Sequence, residues 1–237
     1  VVEVEGERVL APSCCRAPQV GMVVRSDSER AQRSQKTVLE LLLADAGDNT
    51  TALKQDSELA RWGQAVGARP QRYPRRATVG ADTSHPAMAV NLDACIQCTR
   101  CIRACRDVQG NDVLGLAFRG GQTQIVFDQA DPMGDSTCVA CGECVQACPT
   151  GAISPANGSH ARVADRTVDS VCPYCGVGCQ LTYHVKDGRI DQVQGKAGPA
   201  NEGRLCVKGR FGFDYVHSPD RLMRPLIRRA DAPKDAS

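Results

Sequence analysis

A mixed α+β architecture assembled from small cysteine-built units, rather than around one large apolar core, is what the sequence predicts, and three observations carry the prediction. Fourteen of the 237 residues are cysteine. Eight of these fall in two copies of one spacing, Cys95, Cys98, Cys101, Cys105 and then Cys138, Cys141, Cys144, Cys148. Only 4% of the residues are aromatic, too little large side-chain volume for a conventional core of this length. In small cysteine-rich domains, inorganic centres bound to thiolates replace the missing core.

The repeated spacing, C-x2-C-x2-C-x3-C with Pro149 closing the second copy, is the pattern that binds two 4Fe-4S clusters. Three thiolates two residues apart wrap one cube, and the fourth projects from the following helical turn toward the other. The predicted sets therefore cross: Cys95, Cys98, Cys101 and Cys148 in one, Cys138, Cys141, Cys144 and Cys105 in the other. Two zinc sites would leave surplus cysteines in each run, and disulfides between C-x2-C neighbours would close small strained loops.

Composition excludes several classes of function. The formal charge of +2 turns negative once cubanes, each about −2, are counted, so nucleic-acid binding has little electrostatic support. No apolar run approaches eighteen residues, so no membrane span and no export signal are expected. Thiols at this density point to a reducing, cytoplasmic compartment. The apo-protein is expected to be largely unfolded over residues 95–206.

From the N-terminus, VVEVEGERVL alternates about Gly6 and predicts a short hairpin with its turn at residues 5–7. Cys14 and Cys15 follow, and by spacing alone they read as a small hydrophobic pair with a spare thiol. Residues 34–46 predict a helix with Val38, Leu41, Leu42 and Ala46 on one face and Gly47 as its stop; residues 51–66 predict a second with Leu53, Leu59, Trp62 and Val66 inward. Residues 67–87 read as a surface linker. Its Arg69, Arg72, Arg75 and Arg76 form either a solvated basic face or a docking surface for an acidic partner. His85 stands outside a ligand set that is already complete.

Short strands are expected at residues 89–92 and 125–127, with a hairpin about Gly120 and Gly121. Ile96, Ile102, Val139 and Val145 sit between the cysteines, where apolar side chains would keep water from the sulfides. Arg106 follows Cys105 where a proline is usual, which bears on backbone shape more than on metal binding. A third quartet, Cys172, Cys175, Cys179 and Cys206, has the spacing C-x2-C-x3-C-x26-C; by spacing alone it fits structural zinc or a further cluster, with Gly176 and Gly178 allowing the tight loop.

Flanking residues carry a family resemblance. CPYCGVGC, GRLCVKGRFG and HSPDRLMRPLIR resemble the N-terminal cluster domain of molybdenum or tungsten oxidoreductases carrying bis-molybdopterin guanine dinucleotide, above all cytoplasmic formate dehydrogenases. That resemblance implies a 4Fe-4S cluster on the third quartet, with Lys208 between cluster and pterin. VEVEG followed by Pro12, Cys14, Gly21 and Met22 is similar to the end of the 2Fe-2S domain of respiratory NADH dehydrogenase large peripheral subunits, iron-only hydrogenases and NAD-linked formate dehydrogenases. It implies Cys14 as the fourth ligand of a 2Fe-2S site, Cys15 being the runner-up because it fits Pro18 better. The other three ligands would precede Val1, so the cluster requires cysteines of a longer chain. A further 4Fe-4S cluster of those families, bound by one histidine and three cysteines, has no ligands here, since residues 17–84 contain neither His nor Cys.

The predicted organisation is a 2Fe-2S domain remnant (1–35), a helical connector and linker (36–84), a ferredoxin-like domain with two 4Fe-4S clusters (85–165) and a bis-MGD-type 4Fe-4S domain (166–237). The resemblance implies the electron-relay part of an NAD-linked formate dehydrogenase alpha subunit. In that family electrons from formate at a metal–pterin centre pass through three 4Fe-4S clusters toward flavin- and NAD-binding iron–sulfur subunits, and no bond-breaking residue falls within this chain. The alternatives are a free-standing electron-transfer subunit of a diaphorase or hydrogenase, and an assimilatory nitrate reductase.

Overall fold

The computed structural model describes residues 1–46, 57–69, 72–77 and 79–231. At the N-terminus, β1 (Glu3–Val4) pairs antiparallel with β2 (Val24–Arg25), and Val2 pairs with Ala11 across the turn at Gly6, which takes φ +81°. The predicted hairpin is thus reduced to a turn closed by one bridge. The ladder partner of β1 lies farther along, beyond the cysteine pair.

Helix α1 (Glu29–Ala46) begins five residues before the predicted start, because Ser28 Oγ accepts from Ala31 N at 3.3 Å and serves as its cap. Its buried face is Ala31, Glu40, Ala44 and Ala46, whereas Val38 and Leu41 are exposed. The helix is turned this way by Glu40, whose fully buried carboxylate accepts from Arg72 Nη1 at 2.6 Å and from the main-chain N of Arg69 at 3.2 Å. Hydrogen bonding to Arg72 holds that carboxyl below its usual range. In α2 (Glu58–Ala65), capped by Ser57, Leu59 is buried but Trp62 is 59% exposed rather than inward. The two helices meet instead at Gly63, where an added Cβ would lie 3.0 Å from Leu43 Cδ1. The predicted stop at Gly47 and the inward Leu53 lie outside the described residues.

The stretch read as a surface linker is a strap. Arg69 and Arg72 bind Glu40; Arg76 donates to the carbonyls of Leu92 and Cys95; Val79 N donates to Asp93. Asp82 pairs with Val90 through the main chain and accepts from Met133 N at 2.7 Å. Arg69, Arg72 and Arg75 are exposed, as a solvated face would be, although the first two also bind Glu40; Arg76 is half-buried against the carbonyls of Leu92 and Cys95 and departs from that reading.

The next region is framed by β3 (Met88–Val90) paired antiparallel with β6 (Ile153–Pro155), which brings its two ends together. Between them lie α3 (Arg100–Arg103), the hairpin of β4 (Leu114–Ala117) and β5 (Gln124–Phe127), and α4 (Glu143–Ala147). Helix α3 runs on through a π turn over Ala104–Val108, so the chain stays helical past Cys105. Helix α4 stops at Ala147, and Cys148 takes an extended ψ of 117°, as the residue before Pro149 must. Arg106 in place of proline therefore changes the backbone of one copy, as predicted. The core here is Met88, Val90, Ile102, Val113, Leu114, Ile125, Phe127, Met133 and Ile153, together with the cysteines Cys101, Cys105 and Cys144.

The last region is a three-stranded antiparallel sheet, β7 (Arg166–Val171), β8 (Gln180–Lys186) and β9 (Arg189–Gly195), followed by the short helix α5 (Val207–Phe211). Leu181, Val193 and Leu205 form its core. Among the described residues no helix is long and apolar enough to cross a membrane.

Candidate cluster sites

Cys95, Cys98 and Cys101 enter one site from the loop before α3 and from α3 itself, and Cys148 enters it from the end of α4. With Leu92, Ile96, Ile125 and Ile153 they line one small cavity. Burial pushes the Cys95 thiol up; it pushes Cys101 up to about 12, with the sulfurs of Cys148, Cys95 and Cys98 adding to the effect. The second set assembles in the same crossed way. Burial raises Cys138 and Cys141, each also feeling Cys105, and raises Cys144 further, with Cys141, Cys101, Cys138 and Cys105 around it. Cys101 is thus a near neighbour of Cys144, and the two sets adjoin where α3 packs on α4.

The backbone repeats as the sequence does. In the first loop Gln97 and Thr99 have φ of 56° and 60°; two and four residues after Cys138, Ala140 and Gly142 have φ of 56° and 73°. Three of these four are non-glycine residues in the left-handed region, a conformation that costs an L-residue about 1–2 kcal/mol. The distortion turns Gln97 N toward Cys95 Sγ and Ala140 N toward Cys138 Sγ, both at 3.4 Å. Main-chain N–H groups aimed at sulfur favour the thiolate over the thiol, and this fits a group that takes one thiolate at each of four irons. Of the apolar residues expected beside the sulfurs, Ile102 is buried and Ile96 and Val145 are half-buried, but Val139 is exposed.

Cys172, Cys175, Cys179 and Cys206 also come together. Burial raises Cys179, and Cys172, Cys175 and Cys206 each add to it. Cys172 N donates to Cys179 O at 2.8 Å, closing the loop, in which Gly178 has φ +75°. Cys206 stands at the residue before α5, and Lys208 lies exposed on that helix. Among the described residues no group of three or more His, Cys, Asp or Glu side chains closes on a single ion.

Cys14 and Cys15 sit in an exposed 3-10 turn with their sulfurs 3.6 Å apart, not buried as a small hydrophobic pair would be. His85 is buried and accepts from Ala87 N at Nδ1, a structural role. The sequence reading missed a buried polar joint between the second set and the third. In it Gln146 Oε1 accepts from Gly195 N at 2.9 Å, and Glu143 and Arg210 are both buried. The one available signal was GECVQ, which puts two polar residues three apart among the cysteines.

The fold and the sites define a class, an iron–sulfur chain of the oxidoreductase type. Residues 85–154 match the model of the ferredoxin-like domain of NADH-quinone oxidoreductase subunit 3, and residues 165–218 match that of the molybdopterin oxidoreductase Fe4S4 domain. Particular relatives include a G-type subunit of NADH-quinone oxidoreductase from Rhizobium meliloti, 35% identical over 97% of this chain, and the alpha subunit of NADPH-Fe(3+) oxidoreductase from Geobacter sulfurreducens, 32% identical over 96%. A protein provisionally named as a formate dehydrogenase in Staphylococcus haemolyticus is 26% identical over 97%. The chain spans 27% of the first two relatives and 28% of the third. In three dimensions it is similar to a chain of an NAD+-reducing [NiFe]-hydrogenase, with a TM-score of 0.59 and 27% identity over 65% of this chain and 66% of that one. The chain thus joins 4Fe-4S domains of two kinds found in electron-transferring oxidoreductases.

Proposed function

We propose that this chain is the electron-relay part of the alpha subunit of a cytoplasmic, NAD-linked formate dehydrogenase. It would hold three 4Fe-4S clusters, on Cys95, Cys98, Cys101 and Cys148, on Cys105, Cys138, Cys141 and Cys144, and on Cys172, Cys175, Cys179 and Cys206. The observation that carries the reading is the joining of the crossed pair of quartets to a third quartet set in CPYCGVGC and CVKG. Bound clusters would supply one-electron steps between a bis-MGD centre with molybdenum or tungsten, where formate would yield carbon dioxide, a proton and two electrons, and a flavin-containing NAD-reducing subunit. The chain's own residues position and desolvate the thiolates, aim main-chain N–H groups at sulfur, and place the Lys208 charge beside Cys206, on the side proposed to face the pterin. Cys14 would contribute one ligand to a 2Fe-2S site completed by cysteines of a longer chain. The proposed units are those expected from the sequence, 1–35, 36–84, 85–165 and 166–237.

Iron and acid-labile sulfide per chain, with EPR of the reduced protein, test the cluster count: three cubanes are expected, and two with bound zinc would remove the pterin-type domain from the reading. The relatives from Rhizobium meliloti and Geobacter sulfurreducens favour a second reading, an electron-transfer subunit of an NAD(P)H-linked complex that does not oxidise formate. Anaerobic expression of the full-length gene separates them. Formate-dependent NAD reduction supports the first reading; reduction of acceptors by NAD(P)H without formate activity supports the second, and nitrite formation from nitrate with reduced dye would point to a nitrate reductase.

A further inference from the structure

Arg210 is 3% exposed and spends its whole guanidinium on one joint. Its Nε donates to the carbonyl of Cys141 at 2.9 Å, Nη1 to Gln146 Oε1 at 2.8 Å, and Nη2 to Glu143 Oε1 at 2.5 Å. Its main-chain N donates to the carbonyl of Cys206 at 3.1 Å. One residue therefore hydrogen-bonds to cysteines of two different quartets. Glu143, also buried, accepts from Leu205 N at 3.0 Å, tying the start of α4 to the residue before Cys206. The left-handed Gly142 makes room for the crossing, since a Cβ there would overlap Arg210 Cδ. Neither chain folding nor surface solubility calls for a buried arginine at this place, and a buried ion pair is weak evidence for stability.

We propose that Arg210 is the positioning residue that couples the Cys105, Cys138, Cys141 and Cys144 site to the Cys172, Cys175, Cys179 and Cys206 site, with Glu143 as the counter-charge that keeps the joint electrically neutral. The proposal rests on the reading that both quartets hold clusters. An electron passed from one site to the other oxidises the first by one unit and reduces the second by one, with no bond or proton exchanged. What the protein controls is therefore separation and local charge. Arg210 sets the first through its two cysteine carbonyls, and the Arg210–Glu143 pair sets the second. Removing the guanidinium leaves a carboxylate that makes added electrons less welcome at both sites; removing the carboxylate leaves an uncompensated cation with the opposite effect.

The test uses the full-length protein, expressed and purified anaerobically, with each cluster's midpoint potential followed by EPR. Glu143→Gln is expected to raise, and Arg210→Gln to lower, the midpoint of the same signals. If Arg210→Gln fails to retain iron, Arg210→Lys replaces it. Lysine keeps the charge but not the three-way reach, so midpoints stay near wild type while electron equilibration between signals, followed by rapid freeze-quench, slows about tenfold. Shifts of the same sign, no shift in either variant, or an unchanged equilibration rate in the lysine variant would overturn the coupling role. A wild-type protein without three cubane signals would instead remove the cluster reading itself, so the two failures are told apart before any variant is made.

Discussion

Between Met88 and Pro155 three of the eight cysteines are core residues, Cys101, Cys105 and Cys144 being buried among Met88, Ile102, Ile125 and Phe127, and the other five are half-buried. In the last region Cys175 and Cys206 are exposed, and the apolar core of Leu181, Val193 and Leu205 packs beside Cys172 and Cys179, which lie at its edge. If the quartets hold clusters as proposed, the first region is the one whose folding leans on them. The second presents its quartet from a sheet with its own ladder, leaving one side of the site, with Lys208, open to whatever lies next to it. Both regions offer cysteine thiols; the protein's own share of the core differs.

The largest expected effect follows from that difference. Stripping iron from the full-length protein under reducing conditions should abolish amide protection across β3–β6 and β4–β5 while leaving much of it in β8 and β9, as read by hydrogen exchange. Equal loss in both regions would mean that the sheet has no stability of its own and that the comparison is empty. Glycine substitutions sharpen the same contrast. Gly142→Ala forces a Cβ into Arg210 at a φ of +73° and should destabilise by about 3 kcal/mol, whereas Gly178→Ala, at φ +75° with open space around it, should lose only about 1 kcal/mol. Denaturant midpoints of the holo-proteins measure both. A smaller effect of opposite sign is expected for Ala140→Gly. It relieves a left-handed alanine while keeping its N–H on Cys138 Sγ, for a net gain of about 0.5 kcal/mol after the greater chain entropy of glycine.

How much of this was legible in the sequence depended on whether a residue's role is set by spacing or by packing. Cysteine spacing limits which thiols can approach one another, so the grouping of the cysteines into neighbourhoods could be expected before any fold was known. The β4–β5 hairpin was equally plain from its two glycines. The burial of Glu40 and Arg210 was not, because each is stabilised by partners far along the chain, Arg72 for one and Cys141, Glu143 and Gln146 for the other. The same long-range ion pair turned α1 away from its apolar stripe, which is why Val38 and Leu41 were misplaced. Left-handed Gln97, Thr99 and Ala140 left no trace either, since a residue type that dislikes a conformation cannot announce it.

The smallest effect concerns pH and again falls on the cysteine-cored region. Burial lowers the pKa of His85 below 6.5, the nearby Asp82 carboxylate only partly opposing it, so in the folded protein the imidazole is neutral and accepts from Ala87 N at 3.1 Å. The unfolded chain takes up that proton first. Stability is therefore unaffected well above pH 6.5 and falls as pH drops below it. Burial works to raise Asp82, but hydrogen bonds from Met133 N and from Ser84 Oγ and N outweigh it and hold the carboxyl below 3.8. Its contribution disappears only at still lower pH, in the same direction, so of these two groups the histidine acts first as pH falls. Exchange of the Ala87 amide in the holo-protein should quicken as pH falls from 7 to 5. His85→Asn, whose side-chain oxygen can still accept from that N–H without taking a proton, should flatten the dependence; a variant that keeps the wild-type slope would assign the titration to another group.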